Sequence, residues 1–149
     1  MNIYDQGLDR QAANFVALSP VGFVERSAEV FGDLPAVVHG ARRYTWAQCR
    51  DRSARLAAAL RALGVGHGST VSTMLANTPE MVEAHYAVPA LNAVLNTLNT
   101  RLDAPIIAFS LDHGEAKVFI VDREFSKLAQ EVLARMLGVD RRTIYRDLS

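Results

Sequence analysis

The chain has 149 residues, half of them apolar, and its 16 basic and 16 acidic side chains give a formal net charge of zero. That length suits one domain with a buried core, and the balanced charge argues against a chain-wide electrostatic surface for nucleic acid or anionic membrane. Cys49 is the single cysteine and excludes an internal disulfide bond, while the opening MNIYDQGLDR lacks the basic and then apolar pattern of a signal peptide. No window approaches about 18 consecutive apolar residues, so we predict no membrane span and a cytoplasmic location.

The amino-terminal third predicts a helix followed by a β-hairpin. The helix begins after Ser19, a residue type that caps helices, and ends at Gly32. Two short strand-like runs, residues 36–39 and 43–45, then flank a turn that contains a glycine.

A second helix begins at a capping box formed by Thr45 and Gln48. Apolar residues recur along it every three or four positions until a glycine ends the pattern. Cys49 lies on this apolar face, and we interpret it as a core residue because no activating partner can be named beside it. Four arginines lie mostly elsewhere on the helix, and we interpret them as a solvated face rather than as an anion site: Arg50, Arg52, Arg55 and Arg61.

The glycine-rich stretch at residues 64–68 resembles a phosphate-binding loop by composition alone. It follows a helix and precedes the strand-like run 70–75. A phosphate cradle needs the opposite order, in which a strand leads through glycines to the N-terminus of a helix. We therefore predict a tight turn here.

The central stretch, residues 77–101, joins a buried strand to a helix and then to a second strand. Thr78 is predicted to cap the helix, Pro79 suits its first position, and Glu80 lies where the helix dipole favours a negative charge. Pro89 should kink this helix or end it early. The short branched run 93–98 then predicts a strand.

The last strongly patterned stretch predicts a further helix and strand. Asp103 is a helix cap, Gly114 ends the helix, and residues 116–121 form a buried strand. Strands and helices that alternate at these lengths predict βαβ units and a parallel sheet. The predicted fold class is therefore α/β, with an N-terminal hairpin.

The histidines do not form a recognisable metal site. His85 lies near Glu83, and residues 112–115 place several polar groups beside a turn. Neither place has the histidine pair, the cysteine pairs or the further acid that a zinc or iron site needs. No Gly-x-Ser-x-Gly nucleophile pattern occurs. The sequence therefore assigns no catalytic, cofactor-binding or metal-binding residue.

Three segments carry a family resemblance: NTPEM at residues 77–81, AVLNTLNTRLD at 93–103 and LDHGEAKV at 111–118. In this order they resemble the N-terminal part of the AMP-forming acyl-CoA synthetases, the AMP-dependent synthetase/ligase or adenylating superfamily, and most of all its medium- and long-chain branch. The resemblance covers about residues 1–133. Ala76 replaces a common proline and Asn92 a common glycine, but asparagine can adopt the left-handed conformation that a glycine there would supply.

The resemblance implies an acid–thiol ligase that uses ATP, Mg and CoA. The family joins ATP and a carboxylic acid into an acyl-adenylate and pyrophosphate, and then transfers the acyl group to CoA. The family's Thr/Ser/Gly-rich phosphate loop, its adenine and ribose motifs and its C-terminal lysine have no counterpart here. We therefore expect a fragment that is inactive alone because nothing neutralises the triphosphate. Its expected partner is the missing remainder of the synthetase.

Three residues match a family signature without implying catalysis: Asn96, Asn99 and Arg101. We interpret them as strand-end and turn structure.

The final segment, residues 134–149, resembles part of a bacterial helix-turn-helix. Ala134 would lie where two helices cross, Gly138 in the turn, and Ile144 and Leu148 on the inner face of a second helix. The exposed groups that would contact DNA are Arg141, Arg142, Thr143, Tyr145 and Arg146. A continuing amphipathic helix with a glycine break is the favoured alternative, and we do not expect nucleic acid binding. A DNA-binding or regulatory protein and a gene remnant without function nevertheless stay open beside the enzyme fragment.

Overall fold

The computed structural model describes residues 6–7, 9–136 and 142–145. Five α-helices and six β-strands occur in these residues, with 3-10 turns at Pro89–Leu91 and Arg123–Phe125. In chain order they are α1 (Pro20–Phe31), β1 (Pro35–His39), β2 (Arg42–Thr45), α2 (Trp46–Ala62), β3 (Thr70–Met74), α3 (Pro79–Ala87), β4 (Val94–Thr97), α4 (Ala104–His113), β5 (Ala116–Val121), α5 (Ser126–Arg135) and β6 (Arg142–Tyr145).

The predicted α/β class, the parallel sheet and the N-terminal hairpin are confirmed. The four strands of the sheet lie in the order β4-β3-β5-β6, and every neighbouring pair is parallel. β1 and β2 pair antiparallel as the hairpin. β3 is a central strand, so even its polar Ser72 and Thr73 are buried. Both faces of β3 are covered, as is typical of a central strand in a parallel sheet.

Side chains that alternate along β3 and β5 form an apolar core on each face of the sheet. On one face, Val71 and Val118 pack in a cluster with Leu60 of α2 and Val88 after α3. On the other face, a second cluster brings together Met74, Phe119 and Val121 of the strands with Ile107 and Leu111 of α4 and Ala129 and Val132 of α5. α1 and the hairpin pack against α2 and α3. Two layers of helices therefore enclose the sheet.

Several local signals act as predicted. Thr45 Oγ1 accepts a hydrogen bond from Gln48 N at 3.3 Å, and Gln48 Oε1 accepts one from Thr45 N at 2.9 Å, which completes the capping box. Asp103 Oδ1 accepts from Ile106 N at 3.1 Å. α3 ends two residues before Pro89, since proline cannot donate the next helical hydrogen bond.

The glycine-rich turn and the left-handed turn are also confirmed. Gly64 and Gly68 have φ angles of 82° and 73° between α2 and β3, a region that glycine enters without steric cost. Asn92 has φ 52° after the 3-10 turn, as expected for asparagine in place of a glycine.

Two predictions about helix surfaces are wrong. Thr78 is the first residue before α3, but its side chain makes no capping bond; the N–H of Met81 donates instead to the carbonyl oxygen of Thr78 at 3.1 Å. Arg52 is not part of a solvated face, because its guanidinium binds Glu83 on α3.

The predicted helical tail is wrong for residues 142–145. They form strand β6, which pairs with β5 in the register Val118↔Arg142 to Val121↔Tyr145. Both predicted alternatives, the second helix of a helix-turn-helix and a continuing amphipathic helix, place a helix at these residues, whereas the structure has a strand. β-branched and aromatic residues such as those in RTIY favour strands, and β5 supplies the edge on which the strand pairs. Gly138 and Leu148 lie outside the described residues.

Candidate functional site

The carboxyl ends of the parallel strands form the candidate ligand-binding edge. β3 and β4 leave the sheet together, since Leu98 N donates to the carbonyl oxygen of Thr73 at 2.8 Å. β5 leaves at the same edge, where Asp122 N donates to the carbonyl oxygen of Met74 at 2.9 Å. Open α/β sheets bind their ligands at this edge. Any ligand contact that the sheet of this chain makes is therefore expected from the segments that follow β3, β4 and β5.

The asparagines near this edge have structural roles, as predicted. Asn96 Nδ2 donates to Ser72 Oγ at 3.0 Å and so joins β4 to β3. Asn99 Oδ1 accepts from Arg101 N at 2.9 Å, which is the local bond of an Asx turn. The side chains of Asn96 and Asn99 therefore stabilise the local conformation of this edge. Arg101 is exposed beside it.

The start of α3 at this edge does not favour a phosphate group. Glu80 lies in the first turn and is only 3% exposed. A helix N-terminus attracts anions through its free N–H groups, but here the carboxylate of Glu80 already supplies the negative charge. A phosphate cradle needs a glycine-rich loop and a helix N-terminus without a nearby negative charge. The segment between β3 and α3 has neither feature.

Two arginines from β2 and α2 contact two glutamates of α3. We call this group the Arg–Glu cluster: Arg42, Arg52, Glu80 and Glu83. Arg42 Nη1 lies 2.9 Å from Glu80 Oε1, and Arg52 Nε lies 2.5 Å from Glu83 Oε1. Arg52 Nη2 also lies 3.9 Å from Glu80 Oε1. The guanidinium of Arg52 stacks over the ring of Tyr44, 4.4 Å from its centroid. The cluster joins β2, α2 and α3 through side-chain contacts.

The charges of the cluster stabilise one another. The hydrogen bond to Glu80 is the largest cause that raises the pKa of Arg42, although burial acts against it. Burial is the largest influence on Arg52 and lowers its pKa, but the hydrogen bond and the charge of Glu83 outweigh it, so the pKa of Arg52 is raised. Pairing with the arginines offsets part of the cost of burying these two carboxylates, which indicates a structural role for the cluster.

The sequence could not reveal this cluster. Arg52 and Glu83 are 31 residues apart, and Arg42 and Glu80 are 38 residues apart. The one local signal was the spacing of Glu80 and Glu83, which lie three residues apart on the same side of α3. That spacing indicates a shared environment but not the arginines that complete it.

Cys49 and Tyr86 lie close to the cluster and do not form a nucleophilic site. Cys49 is buried, as predicted. Burial raises the pKa of the Cys49 thiol, and the charge of Glu83 raises it further. Burial also raises the pKa of Tyr86. Because the thiolate is the nucleophile, a raised pKa leaves Cys49 less reactive than an ordinary cysteine.

The predicted DNA-contacting residues are not brought together on a helix. Arg142, Thr143 and Tyr145 belong to the strand β6. Arg141 and Arg146 lie outside the described residues. The DNA-binding hypothesis placed these residues on a helix, whereas residues 142–145 form a strand.

Within residues 6–7, 9–136 and 142–145, no three histidine, cysteine, aspartate or glutamate side chains are grouped so that they could hold a metal ion. His85 bonds through Nδ1 to the carbonyl oxygen of Met81 at 2.8 Å, and His113 stacks on Phe109 with ring centroids 5.4 Å apart. None of the helices described there is long and apolar enough to cross a membrane.

Comparison with known proteins shows the family. The sequence model of the AMP-binding enzyme family matches residues 24–147. The chain is 46% identical to the peroxisomal acetate/butyrate–CoA ligase of Arabidopsis thaliana over 87% of this chain and 23% of that protein. It is 43% identical to the acetate–CoA ligase of Humulus lupulus over 93% of this chain and 24% of that protein. The chain therefore spans about a quarter of the length of these curated relatives.

The fold agrees with that result. The crystal structure of the anthranilate CoA ligase AuaEII, solved with anthranoyl-AMP, superposes with a TM-score of 0.82 at 23% identity. The superposition covers 92% of this chain and 27% of that one. The structural likeness shows a shared fold, and the match to the family model over most of the sequence shows shared ancestry. The chain belongs to the AMP-binding enzyme family, as part of the acyl-CoA ligase group that its sequence resembles.

Proposed function

We propose that this chain supplies the amino-terminal part of an AMP-forming acyl-CoA ligase. In the proposed reaction a carboxylate attacks the α-phosphate of ATP, which gives an acyl-adenylate and releases pyrophosphate. The CoA thiol then displaces AMP and forms the acyl-CoA thioester. The observation that carries the proposal is the match to the AMP-binding enzyme family over residues 24–147.

The described residues do not fit ATP by themselves. β3 enters α3 without a glycine-rich loop, and Glu80 places a buried negative charge at the helix start. Adenylation depends on positioning and on neutralising the triphosphate. We therefore propose that the chain alone is inactive and that ATP, Mg and CoA are bound mainly by the remainder of a ligase, of which this chain would form the first part.

The proposed acid is a short-chain carboxylate. The two curated relatives are named for acetate and butyrate, whereas the sequence resemblance favoured the medium- and long-chain branch. We keep a cytoplasmic location as a proposal, although the Arabidopsis relative is named as peroxisomal.

A chimera tests this function directly. The matched segment of the Arabidopsis acetate/butyrate–CoA ligase is replaced by this chain, and ATP–pyrophosphate exchange is measured with acetate and butyrate. We expect the chimera to catalyse exchange, and we expect neither this chain alone nor the relative without its matched segment to do so. A folded chimera that lacks exchange activity while the intact relative is active would contradict the proposal.

A further inference from the structure

A buried carboxylate lies at the candidate ligand-binding edge of the sheet. Asp122 directly follows β5 and is only 6% exposed. Both of its backbone polar groups are bonded: the N–H donates to the carbonyl oxygen of Met74 at 2.9 Å, and the carbonyl oxygen accepts from Phe125 N at 2.9 Å. Asp122 therefore has a fixed position at the end of the strand.

The side chain of Asp122 has no partner among the described residues. Asp122 precedes the 3-10 turn Arg123–Phe125, a position at which an aspartate often caps free N–H groups, but it makes no capping bond. Within residues 6–7, 9–136 and 142–145, no hydrogen bond or ion pair joins its carboxylate to another group. Burying a carboxylate without a counter-ion or a hydrogen-bond donor is unfavourable. A partner for Asp122 would relieve that cost.

A second buried polar atom without a partner lies near the same edge. Thr78 Oγ1 is buried and makes no hydrogen bond within the part of the chain that the structure describes. Thr78 follows β3, the neighbour of β5 in the sheet. The two strands are parallel, so the segments after them leave from the same edge. Buried polar groups are nearly always hydrogen-bonded in complete proteins, so we infer that further groups complete this edge.

The chemistry of a carboxylate favours a cationic side chain as its partner. Arginine and lysine form short, charge-assisted hydrogen bonds with carboxylates. The triphosphate of ATP and the carboxylate of the acid substrate are anions, which Asp122 would repel. Mg²⁺ usually keeps several of its water molecules, and the small exposed area of Asp122 leaves little room for a hydrated ion.

We propose that Asp122 is a positioning residue that binds an arginine or lysine side chain from the remainder of the ligase. The inference rests on the proposed function, because about three quarters of each curated relative lies outside the matched segment. The ion pair holds that remainder at the carboxyl edge of the sheet, where open α/β sheets bind their ligands. Asp122 thereby acts on the reaction through the group that it binds.

Asp122→Asn tests the inference through effects of opposite sign. In the isolated chain the substitution removes a buried charge without a partner, so the melting temperature should stay the same or rise. In the chimera it removes one member of an ion pair, so the melting temperature should fall and the ATP–pyrophosphate exchange rate should fall by about tenfold. A residue that only stabilised this domain would lower both melting temperatures.

The matched control is Glu124→Gln, two residues further along the chain. Glu124 is exposed, so the loss of its charge should change neither melting temperature appreciably. The exchange rate of this control chimera should stay within about twofold of the parent rate.

The outcomes separate this inference from the proposed function. An active chimera that Asp122→Asn leaves unchanged would overturn the inference and leave the proposed function in place. A lower melting temperature of the isolated Asp122→Asn chain would also overturn it, because the carboxylate would then have a partner within this chain. Recovery of the exchange rate by excess Mg²⁺ would overturn the arginine or lysine partner and assign the carboxylate to a magnesium ion. An inactive parent chimera would contradict the proposed function.

Discussion

The helices on the two faces of the sheet are held in different ways. α4 and α5 pack on their face mainly through apolar side chains such as Ile107, Leu111 and Val132. α2 and α3 also have an apolar cluster, but the Arg–Glu cluster and the Tyr44 ring add directional contacts that reach the hairpin. Apolar burial is not directional, whereas ion pairs and hydrogen bonds need one geometry. We infer that the Arg–Glu cluster fixes the position of the hairpin and α3, and that apolar burial supplies most of the stability of both layers.

The largest expected effect tests whether the two apolar clusters are equivalent. Leu60 and Ile107 are both fully buried, one on each face. Leu60→Ala and Ile107→Ala should each lower the free energy of unfolding by about 2 to 5 kcal/mol, because each removes buried apolar surface and leaves a cavity. Urea denaturation measures both. A near-zero loss for one variant would show that its layer does not belong to the cooperative core.

The next effect tests the difference between the layers. Glu83→Gln leaves the guanidinium of Arg52 without its closest carboxylate and should cost about 1 to 3 kcal/mol of stability, less than for a fully buried pair because Arg52 is partly exposed. The matched control is Arg50→Gln, which breaks the exposed pair with Asp51 on the same helix. We expect a loss of no more than about 1 kcal/mol there. Equal losses for the two variants would refute a special role for the Arg–Glu cluster.

Local signals in the sequence were sufficient where a few neighbouring residues decide the structure. Thr45 and Gln48 lie three residues apart and cap α2, and Asp103 caps α4 in the same local way. The parallel sheet followed from the alternation of strand and helix patterns. These features depend on short-range geometry, so no tertiary contact is needed to predict them.

Distant contacts decide the features that the sequence did not reveal. Arg52 looked like one of four solvated arginines because its partner lies on another helix. Residues 142–145 have a pattern that suits either a helix or a strand, and the open edge of β5 decides between them. The parallel order of the strands could be predicted, and the candidate edge of the sheet follows from that order.

Helix capping distinguishes α3 from α4. Asp103→Ala should lower the free energy of unfolding by about 0.5 to 2 kcal/mol, because Ile106 N loses its acceptor. Thr78→Val should cost nothing or stabilise slightly, since Thr78 Oγ1 is buried without a partner among the described residues. Thermal denaturation of both variants checks the pair. A loss for Thr78→Val as large as that for Asp103→Ala would show that Thr78 caps α3 in solution.

The smallest expected effect is a dependence of stability on pH, and it arises in the layer formed by α2 and α3. The pKa of Cys49 is raised above its ordinary value of 9.0. The folded chain therefore keeps the thiol proton at pH values where the unfolded chain has lost it. This contribution to the free energy of unfolding is fully present below about pH 9, and it is lost as the pH rises through the pKa of Cys49 in the folded chain.

Urea denaturation between pH 8 and 10.5 measures this dependence, and the charged and titratable groups around the thiol are Glu83, Arg52 and Tyr86. Cys49→Ala should reduce the alkaline loss of stability. Tyr86→Phe is the matched variant, because the pKa of Tyr86 is also raised above its ordinary value of 10.0. An alkaline loss that is unchanged in both variants would contradict this assignment.

Hydrogen exchange tests the central proposal most directly, that this chain supplies the amino-terminal part of an AMP-forming acyl-CoA ligase. Amide exchange is followed by mass spectrometry for the isolated chain and for the chimera with the Arabidopsis relative. We predict that protection in the chimera increases in helices that are exposed in the isolated chain and that the buried strand β3 changes little. An exchange pattern that is the same in the chimera and in the isolated chain would contradict the account.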